Sequence, residues 1–357
     1  MNTTIETYSV SELTKITQTF FKELILTESG RSKSLSFLLT NIPESKFLLS
    51  KEVFQVMTIG GTNFKSALVN IIDNKKITLT KKKEAVLPPL DSIEIFCENI
   101  FKNIDSKVTK LAINFAFPVQ NIIRENRCDA ILLRHTKQHK FEGLVGKNLG
   151  ETLEKYFQSK LNRKIEVVLV NDIVCLLASI NPELEQIAAV IIGTGYNTGL
   201  KLGKDKFVNL ESGNFDGFVN TQTGALVDKN SNNSGYQYFE KEVSGMYLYK
   251  HYNFLNQSKT VLKSSEELNQ LAVGGDKIAQ SLFDRSASLA ATQLAGIYYL
   301  FGENKITFAI EGSLFWNGFE YSKSVKKYLK SLDIPTYNIK FVNPKSSFQG
   351  LLNLFCK

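Results

Sequence analysis

Two fourteen-residue stretches, VMTIGGTNFKSALV from Val56 and AVIIGTGYNTGLKL from Ala189, share one design about 130 residues apart. Each runs from an apolar strand (Val53–Met57; Ile187–Ile192) through a turn (Gly60-Gly61-Thr62-Asn63; Gly193-Thr194-Gly195-Tyr196-Asn197) into a second strand (Phe64–Ile72; Thr198–Leu202). A hairpin tip that needs positive φ selects Gly and Asn. Two copies of one β-unit, each followed by helical segments, predict an α/β chain of two related domains. Length agrees: 357 residues exceed one ordinary domain, and 43% apolar residues suffice for a sizeable core.

Around the hairpins the first fifty residues read mostly helical, with Leu and Phe at three- and four-residue spacings between Leu13 and Leu26. Asp73-Asn74 offers a turn into a third strand at Ile77–Thr80, bounded by lysines at 75, 76 and 81 to 83. Such a charged strand reads as a solvated edge. Helices are expected at Asp91–Asn103, Leu149–Leu161, Phe239–Tyr252, Lys277–Tyr299 and Tyr321–Lys330, and strands at Leu111–Phe115 and Val167–Val170. The hinge is expected at Asn171-Asp172, with the two domains flanking a cleft.

Several classes drop out. Lys plus Arg is 43 against 35 acidic residues, a charge of +8, but only six of the basic residues are Arg. This is a general attraction for anions, as compatible with nucleotides as with nucleic acid. The lysine-rich edge lacks the aromatic residues that stack on single strands, so no nucleic-acid partner is expected. Cys97, Cys128, Cys175 and Cys356 form no CxxC pair, and His135, His139 and His251 form no HExxH, which argues against a disulfide scaffold and a structural zinc. The polar start MNTTIETYSV shows no signal peptide. No run of about 18 apolar residues suggests a membrane span. A cytoplasmic protein is expected.

Gly at a hairpin tip removes side-chain bulk and lets backbone N–H groups point at an anion, while Thr adds a hydroxyl donor. Two matched tips favour phosphate binding over two merely well-made turns. Neither is a Walker loop nor a GxGxxG motif.

The turns also carry a resemblance. TIGGTNFK (Thr58–Lys65) and IIGTGYNTG (Ile191–Gly199) resemble the two phosphate motifs of the hexokinase family, within the actin-like sugar-kinase superfamily. NFAFPVQ (Asn114–Gln120) and ILLRHTK (Ile131–Lys137) resemble its sugar segment and the strand-and-turn that follows. LVNDIV (Leu169–Val174) resembles the catalytic-base motif, FEKEVSGMYL (Phe239–Leu248) a distinctive helix, and FAIEGSLF (Phe308–Phe315) the adenosine motif. The seven occur in family order over roughly residues 50 to 330.

The resemblance implies two ribonuclease-H-like (actin-like ATPase) domains, one of residues 51–170 plus 342–357 and one of 1–50 plus 171–341. It implies an ATP-dependent hexose kinase acting on the 6-hydroxyl of glucose or a related hexose. Asp172 would be the general base, a role that typically contributes ~10²–10⁴-fold in rate. Thr136, Lys137, Asn171, Asn197, Glu211, Gln237 and Glu240 would bind the sugar, Gln237 and Glu240 sharing one helix face at i, i+3. Gly60, Gly61, Thr62, Asn63, Lys65, Gly193, Thr194 and Gly195 would hold the phosphates, and Gly312 and Ser313 the nucleoside. ATP and Mg²⁺ are the implied cofactors, the metal reaching the protein through the phosphates.

The chain also departs from the family. Thr58 stands where an Asp helps hold the hydrated Mg²⁺, and Ala116 where a Ser bonds the sugar. Ile173 and Cys175 replace Thr and Gly after the base, and Glu311 replaces an Asp. Ser346-Ser347-Phe348-Gln349-Gly350 matches the C-terminal nucleotide turn poorly, and Phe348 is placed to crowd the adenine. The sugar set and base are kept while the metal side is eroded. A second reading is therefore a weak or inactive homologue that binds sugar as a sensor or scaffold.

Overall fold

The computed structural model describes residues 5–43, 53–72, 76–135, 139–180, 186–256, 261–344 and 348–355. The chain groups into two units: unit 1 is 1–37, 184–200 and 210–343, and unit 2 is 38–183, 201–209 and 344–357.

In unit 2 the mostly apolar strands Phe54–Ile59 and Lys110–Phe115 are buried along their whole length, their polar Gln55, Thr58, Lys110 and Asn114 included. That is the pattern of central strands covered on both faces. The five-stranded sheet runs Lys76–Val86, Asn63–Ile72, Phe54–Ile59, Lys110–Phe115, Glu166–Asn171. The first three strands are antiparallel and the last three parallel. The parallel register sets Thr58 beside Asn114 and Phe115 beside Asn171. Helices Ile93–Asn103 and Leu149–Leu161 press Phe96, Ile100, Leu153 and Phe157 onto Leu111, Ile113, Phe115, Val167 and Leu169. Asn148 makes no side-chain cap for the second helix. The buried Asp129 does it instead, accepting the Gly150 N–H at 2.7 Å and the Glu151 N–H at 3.1 Å. Arg124 and Arg127 bridge Asp129 and Glu154 in the same network.

Asp129 lies on a hairpin that sequence patterning missed, Val119–Arg124 with Arg127–Leu132. Its tip is Glu125-Asn126, both left-handed at φ 50° and 58°, without the glycine that usually signals such a turn. The turn expected at Asp73-Asn74 lies outside the described residues. The C-terminal helix Gln349–Phe355 returns to cover the short helix Asp172–Ala178. A Cβ on Gly350 would stand 1.9 Å from the Cys175 carbonyl oxygen, and Asn353 Nδ2 donates to the Ala178 carbonyl at 2.8 Å. Cys97, Cys128 and Cys175 are buried and form no disulfide among the described residues; Cys356 lies outside them.

In unit 1 strand Ile187–Ile192 is antiparallel to its hairpin partner Tyr196–Lys201 and parallel to Ile306–Glu311, which is parallel to Ile339–Val342. The first hairpin strand thus occupies the same position as Phe54–Ile59 does in unit 2. The N-terminal helix is Val10–Thr27, opened by a Ser9–Glu12 capping box. It is shorter than the sequence suggested because Gly30, at φ 68°, returns the chain, Gly30 and Arg31 donating to the Thr27 and Leu26 carbonyls. Leu38–Asn41, in unit 2, is a strand paired antiparallel with Lys206–Asn209. Phe20 of the N-terminal helix packs where Gly296 leaves room on the long helix Lys277–Leu300.

The helix expected over Phe239–Tyr252 is two helices, Tyr238–Val243 and Gly245–Leu255. Between them Ser244 is extended at φ −82°, ψ 154°. The break turns the start of the second helix towards the Gly193 hairpin.

Candidate active site

In unit 2 the first tip closes with the Gly60 N–H on the Asn63 carbonyl at 2.8 Å. The tip carbonyls are engaged. Leu87 N–H donates to Thr62 O at 2.8 Å, and His139 Nε2 lies 3.3 Å from Gly61 O. His139 Nδ1 accepts the Leu90 N–H at 2.9 Å, so in the neutral ring the proton sits on Nε2 and is given to Gly61. Among the described residues no acceptor takes the N–H of Gly61 or Thr62. Lys65 reaches across the ladder to Glu84 at 3.0 Å.

Asp172 is the first residue of its helix, set at the end of the buried strand Glu166–Asn171. Its Oδ1 accepts the Ile173 N–H at 2.9 Å. Asn171 caps the helix, its Oδ1 accepting the same N–H at 3.0 Å while Nδ2 donates to Phe117 O at 3.4 Å. Asn171 is 2% exposed, so much of its amide serves the fold. On the neighbouring strands Thr58 Oγ1 and Asn114 Oδ1 are buried and accept nothing among the described residues. Phe348 is buried in this unit. Thr136, Lys137, Ser346 and Ser347 lie outside the described residues.

In unit 1 the second tip has the same logic. Its carbonyls are engaged by the start of helix Gly245–Leu255: Gly245 N–H donates to Gly193 O at 2.8 Å and Met246 N–H to Thr194 O at 3.2 Å. The N–H groups of Thr194 and Gly195 meet no acceptor among the described residues. Gly312 and Ser313 lie against this tip; a Cβ on Gly193 would be 3.1 Å from Gly312 Cα. Gly312 has φ 127°, and its own Cβ would meet Ile192 O at 2.1 Å, so only glycine suits the position.

Asn197, Glu211 and Glu240 gather around Ser212-Gly213. Asn197 Oδ1 accepts the Ser212 N–H at 3.1 Å, and a Cβ on Gly213 would be 3.1 Å from Glu240 Cβ. Glu211 is left-handed at φ 47°, ending the approach from strand Lys206–Asn209. Both carboxylates are more than nine-tenths buried. Gln237 is left-handed at φ 55° and precedes the helix, so it does not share a helix face with Glu240; its Oε1 accepts from Asn233 Nδ2 at 2.6 Å.

Near Glu240 lies a buried ion network that no local pattern signals. Glu242 Oε1 accepts the Thr221 N–H and hydroxyl at 2.9 and 2.7 Å, and Arg285 Nη2 approaches its Oε2 at 3.1 Å. Burial works to raise the Glu242 carboxyl, but Arg285, His251 and Thr221 hold it below the usual range. His251 Nδ1 faces Thr223 Oγ1 and Arg285 Nη2, and Nε2 faces Lys241 O. Burial pushes the His251 pKa down to about 4, against the pull of Glu242. Nor did the sequence single out His139, whose contact with Gly61 spans 78 residues. Gly245 did leave a local sign, a glycine inside a helical run.

Comparison with known proteins follows this geometry. Two family patterns, both described as hexokinase, match residues 4–181 and 187–254. Hexokinase-1 of Spinacia oleracea is 29% identical over 231 residues, 55% of this chain and 46% of that protein. The chain spans about half the length of the curated relatives it matches. Among solved structures, a hexokinase from Schistosoma mansoni complexed with glucose superposes with a TM-score of 0.79 at 18% identity, over 98% of this chain and 96% of that one. A ROK family glucokinase from Streptomyces griseus in complex with glucose and AMPPNP gives 0.58 at 16% identity, over 85% and 97%. The likeness extends over nearly the whole chain and gives the fold: α/β, with two actin-like ATPase domains of the ribonuclease-H-like kind.

Proposed function

The chain belongs to the hexokinase family, and from that premise we propose that it is an ATP-dependent hexose kinase, passing the γ-phosphate to the 6-hydroxyl of glucose or a related hexose. The observation that carries this reading is the matched pair of tips. In each, the carbonyls are engaged and, among the described residues, neighbouring N–H groups meet no acceptor. Donors fixed before the reaction are what a transferring phosphoryl group needs, since they stabilise its charge without reorganising. The Gly60–Asn63 and Gly193–Gly195 tips and Lys65 would take the phosphates, Gly312-Ser313 the nucleoside, and Asp172 would be the base.

For the sugar, the proposed residues are Thr136, Lys137, Asn171, Asn197, Glu211, Gln237 and Glu240. Carboxylates and amides suit polyols because each accepts or donates in a fixed direction. Asp172 would take the proton of the attacking hydroxyl as the new bond to phosphorus forms.

Mg²⁺ carried by ATP would neutralise charge on the phosphates. Among the described residues no three His, Cys, Asp or Glu side chains converge on one point. The buried, unsatisfied Thr58 Oγ1 and Asn114 Oδ1 are neutral acceptors, suited to water molecules around a hydrated ion and not to holding a bare one. In this reading the nucleotide's phosphates balance the metal's charge.

The test is glucose-dependent ADP release from MgATP, with Asp172→Ala in parallel. The variant should lose ~10²–10⁴-fold in kcat and still bind MgATP. Equal turnover in the two would remove Asp172 from the role. No turnover over a panel of hexoses, from protein that binds glucose, would favour the sugar-binding homologue without catalysis.

A further inference from the structure

Gly61 O and the Thr62 N–H belong to one peptide unit, and in a trans peptide they point in opposite directions. Whatever holds the carbonyl aims the amide. In unit 2 that holder is His139. The ring is 6% exposed and stands edge-on to Phe117, with centroids 5.0 Å apart and planes at 89°. Phe141 flanks it at 5.5 Å. Leu90 N–H fixes Nδ1 as acceptor, which leaves Nε2–H for Gly61 O. The ring is thus set by a backbone donor on one side and aromatic walls around it, and spends its one proton on the tip. The peptide between Gly61 and Thr62 needs such a hold, because glycine permits orientations that other residues resist.

We propose that His139 is a positioning residue for the transfer, a latch on the Gly61–Thr62 peptide that presents the Thr62 N–H to a nucleotide phosphate oxygen. The proposal rests on the kinase reading above. It predicts a defect that falls on the nucleotide, because the sugar residues Asn171, Asn197, Glu211, Gln237 and Glu240 lie on elements other than this hairpin tip.

His139→Phe keeps the aromatic packing and removes the ring's hydrogen bonds to Leu90 and Gly61; His139→Gln returns an N–H donor towards Gly61. Calorimetry with MgATP and, separately, with glucose reads the two affinities, and amide exchange at Thr62 in the nucleotide-free protein reads the latch itself. In the Phe variant MgATP affinity should fall about three- to tenfold, the loss of one hydrogen bond, with glucose affinity unchanged and Thr62 exchange accelerated. The KM for MgATP should rise more than kcat falls, and Gln should recover most of the loss. MgATP affinity within twofold of the parent, or an equal loss for glucose and MgATP, would overturn the proposal. If the Phe variant does not fold, Gln against the parent decides by the same measurements, unchanged MgATP affinity and Thr62 exchange supporting the latch and a full loss overturning it. Failure of the kinase reading looks different: the parent protein itself would bind no MgATP, while Thr62 exchange would still respond to His139→Phe.

Discussion

In unit 1 the Gly193–Gly195 tip leans on backbone. Two N–H groups at a helix start take its carbonyls, and Gly245 and Gly312 bring main chain close on either side. In unit 2 the Gly60–Asn63 tip takes one support from the Leu87 N–H and the other from an imidazole. The first arrangement cannot be lost by deleting a side chain; it fails only if bulk is added. The second gives way when a single side chain changes. Two copies of one hairpin have thus reached similar donor patterns with unequal tolerance of substitution.

The largest predicted effect separates them by bulk. Gly312→Ala forces a Cβ to 2.1 Å from Ile192 O at a φ of 127°, and should cost about 4 kcal/mol or more. Gly60→Ala places its Cβ 3.1 Å from Asn63 O with no φ penalty, and should cost about 1 kcal/mol or less. Urea midpoints of the two variants measure this; similar losses would erase the distinction.

The second prediction compares the buried ion networks. That of unit 2 joins Asp129, Arg124, Arg127 and Glu154 and contains no histidine. That of unit 1 holds His251, whose pKa falls from 6.5 to about 4 on folding. A depressed histidine binds fewer protons folded than unfolded, so its contribution is complete above pH 6.5 and is lost as pH falls towards 4. Acid should therefore loosen unit 1 by a few kcal/mol across that window. Trp316, the single tryptophan, lies in unit 1 and reports it by fluorescence. His251→Gln should flatten the pH profile; a profile unchanged by the substitution would assign the acid sensitivity elsewhere.

The smallest effect concerns the metal. Thr58→Asp puts a carboxylate beside Asn114 and should lower the Mg²⁺ concentration needed for half-maximal ATP binding by about threefold or more. ATP titrations at graded Mg²⁺ show it. No change in a folded variant would mean that the neutral Thr58 is not what weakens the metal side.

The strand pairs and the helix Leu149–Leu161 were legible because their signals are local: apolar runs, turn glycines, three- and four-residue spacing. The Glu125-Asn126 hairpin was not, because its tip has no glycine and Glu125 gives no local sign of the positive φ it adopts there. The division of helix Phe239–Tyr252 at Ser244 was missed for another reason: its partner, Gly193, is remote in sequence. The candidate residues show the same limit. Motif order nominated Gly193, Thr194, Gly312, Ser313, Asn197, Glu211 and Glu240, which unit 1 places in two close groups. It said nothing of the contacts beyond them: the Glu242–Arg285–His251 network of unit 1 and, within unit 2, the His139–Gly61 contact join residues far apart in the chain.

The cover on helix Asp172–Ala178 has a consequence for the newborn chain. Ile173 to Leu177 are all buried, and Gly350 packs against Cys175, yet 175 residues separate these two glycine and cysteine positions. At about 5–20 residues per second, a ribosome would need roughly 10–35 s to travel that distance. For that interval the helix that bears Asp172 emerges without its cover, and unit 2 must wait for nearly all of unit 1 to be translated before it can close. A chaperone that binds short apolar segments would have its clearest opening there.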